Sequence, residues 1–195
     1  MKRPVRIGIV GTHSTGKTLL MRRIEMELRA HGVPVARVGG LGKKAAALGL
    51  PKMQRHTELS TEWIITTGAA AELTAAIDCE VVLADQAAPG ALAYYTAALT
   101  FREEQPAPEV LDRLGALVAT RLPKYDLLLA TVLDPDEPVT GHGYEPTYRT
   151  LVDTEIHAYL AAHALPHVPV TNDDEARDRA VRAALDLVDA REAAA

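Results

Sequence analysis

The chain has 195 residues, of which 48% are hydrophobic and 24% charged, with a net charge of −5 and a sequence pI of about 5.8. This composition is typical of a globular domain and excludes a disordered chain, and the acidic balance argues against nucleic-acid binding through a basic face. A lone cysteine, Cys79, excludes an internal disulfide framework. No stretch is long enough to span a bilayer, so we expect one cytoplasmic domain, residues 1–195, without a membrane partner.

The first informative segment is a predicted strand, Val5–Val10, followed by a glycine-rich turn and a helical pattern over residues 17–31. The turn matches the phosphate-binding (Walker A) pattern G-x-x-x-x-G-K-[ST]. Its residues are Gly11, Thr12, His13, Ser14, Thr15, Gly16, Lys17 and Thr18. A glycine-rich turn that carries a lysine by chance is the alternative, but the strand–loop–helix order favours a nucleotide site.

Each fixed position of this motif has a physical role. Gly11 and Gly16 let backbone N–H groups approach phosphate oxygens, and the helix that follows presents its positive end to the same anion. Lys17 can reach the β- and γ-phosphates, and the Thr18 hydroxyl can hold Mg²⁺. The motif therefore predicts that the chain binds ATP with Mg²⁺, although the residues do not distinguish ATP from GTP.

Predicted strands and helices alternate along the rest of the chain. The further strands are predicted at 33–38, 80–85, 125–132 and 167–170. The further helices are predicted at 43–50, 57–77, 88–100, 109–122, 148–163 and from 173 or 174 to about 190. This alternation predicts an α/β fold, a parallel sheet with helices on both faces and ligands at the carboxyl ends of its strands.

An acidic residue, Asp85, stands at the end of the apolar third strand. A carboxylate at the tip of a strand beside a phosphate-binding loop can hold Mg²⁺ or act as a general base. It can also do no more than cap the helix that follows, which is the structural alternative. We favour the functional role and predict Asp85 as a catalytic and metal-binding residue.

Four segments together resemble a group of small P-loop kinase-like ATPases that includes the kinase domain of bifunctional proteins that phosphorylate nicotinamide riboside. They are residues 10–18, 57–64, 81–85 and 93–95. The resemblance implies a P-loop NTPase three-layer sandwich with five parallel strands in the order 2-3-1-4-5. It also aligns Asp85 with the acid at the strand end of that group, where the next residue is often arginine and here is Gln86.

The chain departs from such kinases after its second strand. Many of them carry an acid there that contacts the phosphate acceptor, but this chain has Gly39 and Gly40, followed by Lys43. These residues would leave room for an acceptor and suit an anionic one, or they form a flexible loop with solvated lysines. Glu58 and Glu62, one helical turn apart, are further candidates for acceptor contacts, with a solvated helix face as the alternative.

The segment 134–150 is expected to be a lid over the triphosphate, with Gly141 and Gly143 as hinges. Arg149 is the candidate for the arginine that stabilises charge on the transferring group, and Arg121 is a weaker one. The alternative for Arg149 is an i,i+4 ion pair with Asp153 on an exposed helix.

These observations predict an ATP-dependent kinase for a small acceptor such as a nucleoside, nucleotide or related metabolite. The general base is either Asp85 or a glutamate of the 57–77 helix. The alternative function is a slow NTPase that acts as a switch or sensor with a protein partner, although no guanine-binding Asn-Lys-x-Asp motif is present. No nucleic-acid partner is expected, and both a monomer and a homodimer are left open.

Overall fold

A computed structural model describes residues 3–136 and 145–193. Its strands are β1 (Val5–Val10), β2 (Val35–Val38), β3 (Val81–Asp85), β4 (Leu127–Thr131) and β5 (Val168–Val170). Its α-helices are α1 (Lys17–Ala30), α2 (Leu41–Ala47), α3 (Glu58–Ala75), α4 (Ala88–Phe101), α5 (Pro108–Ala119), α6 (Pro146–Ala162) and α7 (Asp174–Ala193). Short 3-10 helices form at Met53–Arg55 and Leu122–Lys124.

The strands form a single parallel sheet in the order β2-β3-β1-β4-β5. Each connection between parallel strands must cross over a face of the sheet, and the helices do this. This confirms the predicted α/β fold and strand order. It also brings the ends of β3, β1 and β4 side by side, with the loop after β1 in the middle.

Both faces of the sheet are covered, which explains why β1 is buried along its whole length. On one face Ile7 and Ile9 pack in the core formed with α1 and α7. On the other face Val10 packs in the core formed with α4 and α6. A strand buried on both sides reads as a continuous apolar run rather than an alternating one, as the sequence of β1 does.

The long helix α3 forms as predicted at its start and is unbroken at its glycine. Thr57 and Ser60 make a reciprocal capping box, in which Ser60 Oγ accepts from the Thr57 N–H at 2.9 Å. Gly68 does not interrupt the helix. A Cβ at that position would lie 3.0 Å from Leu41 Cδ1, so the glycine lets α2 pack closely against α3.

Several predicted boundaries shift. Helix α2 begins at Leu41, immediately after Gly40, which has φ +70° and forms the N-cap, and not at residue 43 as predicted. The predicted loop 51–56 contains the 3-10 helix Met53–Arg55, and α5 ends at Ala119 rather than at residue 122, where a second 3-10 helix begins. Among the described residues, no helix combines the length and apolar character needed to cross a membrane.

Candidate active site

The phosphate loop, Gly11–Thr18, sits between β1 and α1 and is braced by the neighbouring strand β4. Thr15 Oγ1 lies 2.6 Å from Thr131 Oγ1 and donates to the Thr12 carbonyl at 2.9 Å. A Cβ at position 11 would overlap Thr131 Oγ1, so only glycine fits where the loop passes the end of β4. The shape of the loop thus depends on contacts with β4 as well as on its own sequence.

The start of α1 is open toward the loop. Gly16 has φ +79°, no side chain caps the helix there, and its first turn holds no acidic residue. The first N–H groups of a helix have no partners within it, and they carry its positive end. This arrangement suits an anion such as a phosphate group.

The ammonium of Lys17 interacts with three charged side chains around the loop, those of Asp85, Asp153 and Arg149. Lys17 Nζ donates to the Thr12 carbonyl. Although the residue keeps some accessible surface, burial of its ammonium lowers its pKa to about 8, while Asp85 and Asp153 raise it and Arg149 lowers it further. Two carboxylates and a guanidinium from distant parts of the chain therefore surround this lysine.

Asp85 is the last residue of β3 and pairs in register with Ile9 of β1, next to the phosphate loop. The alternative role as a helix cap is wrong, because α4 begins at Ala88 and the residue at its cap, Ala87, makes no side-chain cap. A Cβ on Gly39 would lie 2.8 Å from Asp85 Cβ, so the glycine after β2 leaves room for this carboxylate.

Arg149 is a residue of α6, and its side chain contacts the phosphate loop. It is only 4% exposed, and its Nε and Nη2 donate to the carbonyls of His13 and Ser14 at 3.2 and 3.0 Å. An exposed helix pair with Asp153 is thus the wrong interpretation. The helix that carries Arg149 begins at Pro146, and residues 137–144 of the expected lid, with Gly141 and Gly143, lie outside the described residues.

Arg121, the weaker candidate for the lid arginine, is placed elsewhere and the prediction is wrong. Its Nη2 lies 2.8 Å from Glu72 Oε2, and both side chains are buried. The Tyr125 hydroxyl donates to the other oxygen of Glu72 at 2.9 Å. This buried group joins α3 to the start of β4.

The predicted acceptor contacts fall into two groups. Gly39 adjoins Asp85 at the rim of the sheet, Gly40 is the N-cap of α2, and Lys43 is exposed on α2. Glu58 and Glu62 instead both pair with Arg113 of α5 on an exposed face. That ion pair accounts for both glutamates without a substrate, in line with the solvated-face alternative.

Asp153 is a site residue that the sequence reasoning missed. It lies one turn after Arg149 on α6, and its Oδ1 accepts from the Leu133 N–H at 3.1 Å, at the start of the segment that leaves β4. Burial raises the pKa of its carboxyl. Its i,i+4 spacing from Arg149 was the available signal, but we interpreted that spacing as an ion pair.

Comparison with solved structures identifies the fold. The chain superposes on the NadR protein in complex with NR, with a TM-score of 0.65, and on the NadR protein in complex with NAD and AMP-PNP, with a TM-score of 0.66. It shares the NadR fold. Sequence identity is 19% in both cases, and 95% of this chain is covered.

These matches cover only part of each NadR chain. The chain spans about half the length of the NadR chains, 51% of one and 49% of the other. No protein-family model and no curated protein matches the chain. The likeness therefore shows that the chain has the fold of these proteins, and it confirms the resemblance as far as the fold is concerned.

Proposed function

We propose that the protein transfers the γ-phosphoryl group of ATP to a hydroxyl of a small acceptor, such as a nucleoside, a nucleotide or a related metabolite. The observation that carries the proposal is the convergence of Lys17, Asp85 and Arg149 on the phosphate loop. The fold shared with NadR supports it, since one of those structures holds AMP-PNP, an analogue of ATP.

The residues of the loop would bind and orient the triphosphate. The loop N–H groups and the Lys17 ammonium would hold the β- and γ-phosphates, and Arg149, already beside the loop, would face the charge that develops on the transferring group. Catalysis of this kind consists mostly of positioning and electrostatic stabilisation, so a small set of groups is sufficient.

The donor set fits Mg²⁺. The Thr18 hydroxyl is exposed in the first turn of α1, and the half-buried Asp85 carboxylate lies at the end of the adjacent strand. Both offer hard oxygen ligands, and Mg²⁺ commonly takes its remaining ligands from phosphate and water. When bound, the ion would neutralise charge on the β- and γ-phosphates.

Asp85 is also the general base that the geometry supports best. Among the glutamates of α3, Glu58 and Glu62 pair with Arg113, and Glu72 is bound by Arg121 and Tyr125. In the reaction the acceptor oxygen bonds to the γ-phosphorus and the bond to the bridging oxygen breaks. ADP leaves with that electron pair, and the acceptor proton passes to the Asp85 carboxylate.

An acceptor screen tests this function. Release of ADP from ATP, or of GDP from GTP, is measured with Mg²⁺, with and without nucleosides, nucleotides and related metabolites, nicotinamide riboside among them. We expect acceptor-dependent ADP formation that falls at least about a hundredfold in Asp85→Asn while ATP still binds. Exposed Asp189→Asn is the matched control. Turnover stimulated only by a protein partner would instead favour the switch or sensor.

A further inference from the structure

Asp153 joins the helix that carries Arg149 to the strand that braces the phosphate loop. Its Oδ1 accepts from the Leu133 N–H at 3.1 Å, just after the end of β4. The side chain of Asp153 is 17% exposed, so this bond is largely shielded from water. Because Asp153 follows Arg149 by four residues on α6, both side chains lie on the same face of that helix.

Three polar contacts form a closed ring around the phosphate loop. The loop contacts β4 through the hydroxyl oxygens of Thr15 and Thr131, which lie 2.6 Å apart. The chain leaving β4 contacts α6 through Asp153. Helix α6 contacts the loop again through Arg149, which donates to two loop carbonyls. Asp153 is therefore the hydrogen-bonding link of this ring between β4 and α6.

The first turn of α6 depends on such contacts because no cap of its own holds it. The helix begins at Pro146, and Glu145, at its N-cap, makes no side-chain cap bond. Arg149 therefore lies in a turn that no earlier helical turn supports. Tyr148 in the same turn is buried, and its hydroxyl donates to the Tyr94 carbonyl at 3.0 Å, which fixes this end of the helix against α4. The bond to the chain after β4 fixes the helix against the sheet.

The acceptor oxygen of Asp153, rather than its charge, makes this link. His157 Nε2 lies 3.8 Å from the same oxygen, which is too far for a hydrogen bond. Burial raises the pKa of the carboxyl by more than its neighbours lower it, so the surroundings disfavour the charge. A neutral side chain with an oxygen in the same place would accept from the Leu133 N–H equally well.

We propose that Asp153 is a positioning residue, which holds Arg149 on the phosphate loop by accepting the hydrogen bond from Leu133. The inference rests on the proposed function for its effect on turnover, since Arg149 needs a reacting triphosphate whose charge it can stabilise. Without the bond, the start of α6 can move away from the end of β4. A displacement of about 1 Å at a group that acts on the reacting atoms is enough to lower a rate severely.

Two substitutions at this position separate the hydrogen bond from the charge. Asp153→Ala and Asp153→Asn both remove the charge, but only Asp153→Asn keeps an oxygen that can accept from the Leu133 N–H. Thr154→Ala, at an exposed position on the same helix, serves as the control. Release of ADP from ATP with Mg²⁺ is measured with water and with the acceptors of the screen. Calorimetry with AMP-PNP gives the affinity, and a thermal melt confirms that each variant is folded.

We expect kcat to be about tenfold lower in Asp153→Ala than in Asp153→Asn, while the two variants bind AMP-PNP with affinities within about twofold of each other. In a protein that already carries Arg149→Ala, the two substitutions should give the same kcat, because the arginine that the bond positions is gone. A general loss of structure would instead lower kcat in both backgrounds. Thr154→Ala should behave as the wild type does.

Crystal structures of the variants test the position of Arg149 directly. Arg149 should leave the carbonyls of His13 and Ser14 in Asp153→Ala and keep both bonds in Asp153→Asn. An unmoved Arg149 in Asp153→Ala, or equal kcat in the two variants, would overturn the inference and leave the proposed function standing. A wild-type protein that releases no ADP with water or with any acceptor would overturn the proposed function, and the crystal structures would still decide where Asp153 holds Arg149.

Discussion

At the residue scale, the site combines groups whose charges depend on one another. The ammonium of Lys17 is buried, and its charged form is favoured by two carboxylates and disfavoured by one guanidinium. Burial favours the neutral form, and bound phosphate would favour the charged form. The protonation of Lys17 should therefore be coupled to triphosphate binding.

This coupling predicts that the affinity for ATP falls as the pH rises. The pKa of Lys17 is lowered to about 8 in the unliganded protein, so its charge is lost between pH 7 and 9 unless phosphate retains it. We expect an affinity loss of about tenfold over that range, measured by calorimetry at constant ionic strength. The exposed-lysine variant Lys124→Gln should show the same loss, whereas a flat wild-type profile would contradict the assignment.

Arg149 should contribute more to turnover than to binding. Its guanidinium spans two carbonyls of the loop, and in the reaction it would face the transferring group. We expect Arg149→Ala to lower kcat by about a hundredfold and the affinity for ATP by much less. Arg149→Lys should not restore kcat, because one ammonium cannot replace the planar fork. Unchanged kcat in a folded Arg149→Ala protein would remove this role.

At the element scale, the sequence predicts what is local and misses what depends on packing. The strands, the helix after residue 16 and the Thr57 cap follow from apolar runs and short-range capping chemistry, and the structure confirms them. The contact between Arg149 and the loop joins residues more than 130 positions apart. Periodicity can place such an arginine on a helix, but it cannot show which surface that helix meets.

The shifted boundaries have the same origin. Gly40 was interpreted as part of a break after β2, yet its left-handed backbone starts α2 directly. Glu72 lies on α3 and Arg121 in the turn after α5, and only packing shows that they form one buried group. Asp153 was seen beside Arg149 in sequence, but its bond to Leu133 depends on where β4 ends.

The buried pair of Glu72 and Arg121 should be needed to hold α3 against the start of β4. Arg121→Met would leave the Glu72 carboxylate buried without its guanidinium, which typically costs about 3 kcal/mol in the free energy of unfolding. The double variant Glu72→Leu with Arg121→Met should recover a large part of that loss, as measured by urea unfolding. Arg179→Met, in an exposed pair, should change stability by less than about 1 kcal/mol.

At the scale of the whole molecule, the sheet brings the chemistry to one rim while its two faces supply the stability. Cores on both faces of the sheet pack against β1, and this packing fixes the position from which the loop after β1 starts. Because all strands run in the same direction, residues from β1, β3, β4 and the β5–α7 loop meet at one edge. The alternation of strands and helices was sufficient to predict this edge, although not the contacts within it.

A buried histidine should make the global stability sensitive to acid. His56 is 4% exposed, and burial, with Arg102 nearby, lowers its pKa to about 4. As the pH falls from about 6.5 to 4, the unfolded chain takes up a proton that the folded protein excludes, so the free energy of unfolding falls, by up to about 3 kcal/mol.

Urea unfolding between pH 7 and 4 measures this effect through the slope of stability with pH. His56→Gln should flatten the slope in that window, whatever its effect at pH 7, and the exposed-histidine variant His31→Gln should keep the wild-type slope. Equal slopes in the wild type and His56→Gln would show that His56 does not titrate differently on folding.

The two hydrogen bonds from Arg149 to the phosphate loop have an evolutionary consequence. Because the two bonds from the guanidinium to His13 and Ser14 end on main-chain oxygens, these bonds do not depend on which side chains stand at positions 13 and 14. Substitutions of those two side chains can accumulate without loss of the two hydrogen bonds from Arg149, as long as the backbone conformation of the loop is kept. Descendants of this chain are thus free to diversify the middle of the motif while inheriting the same architecture around it.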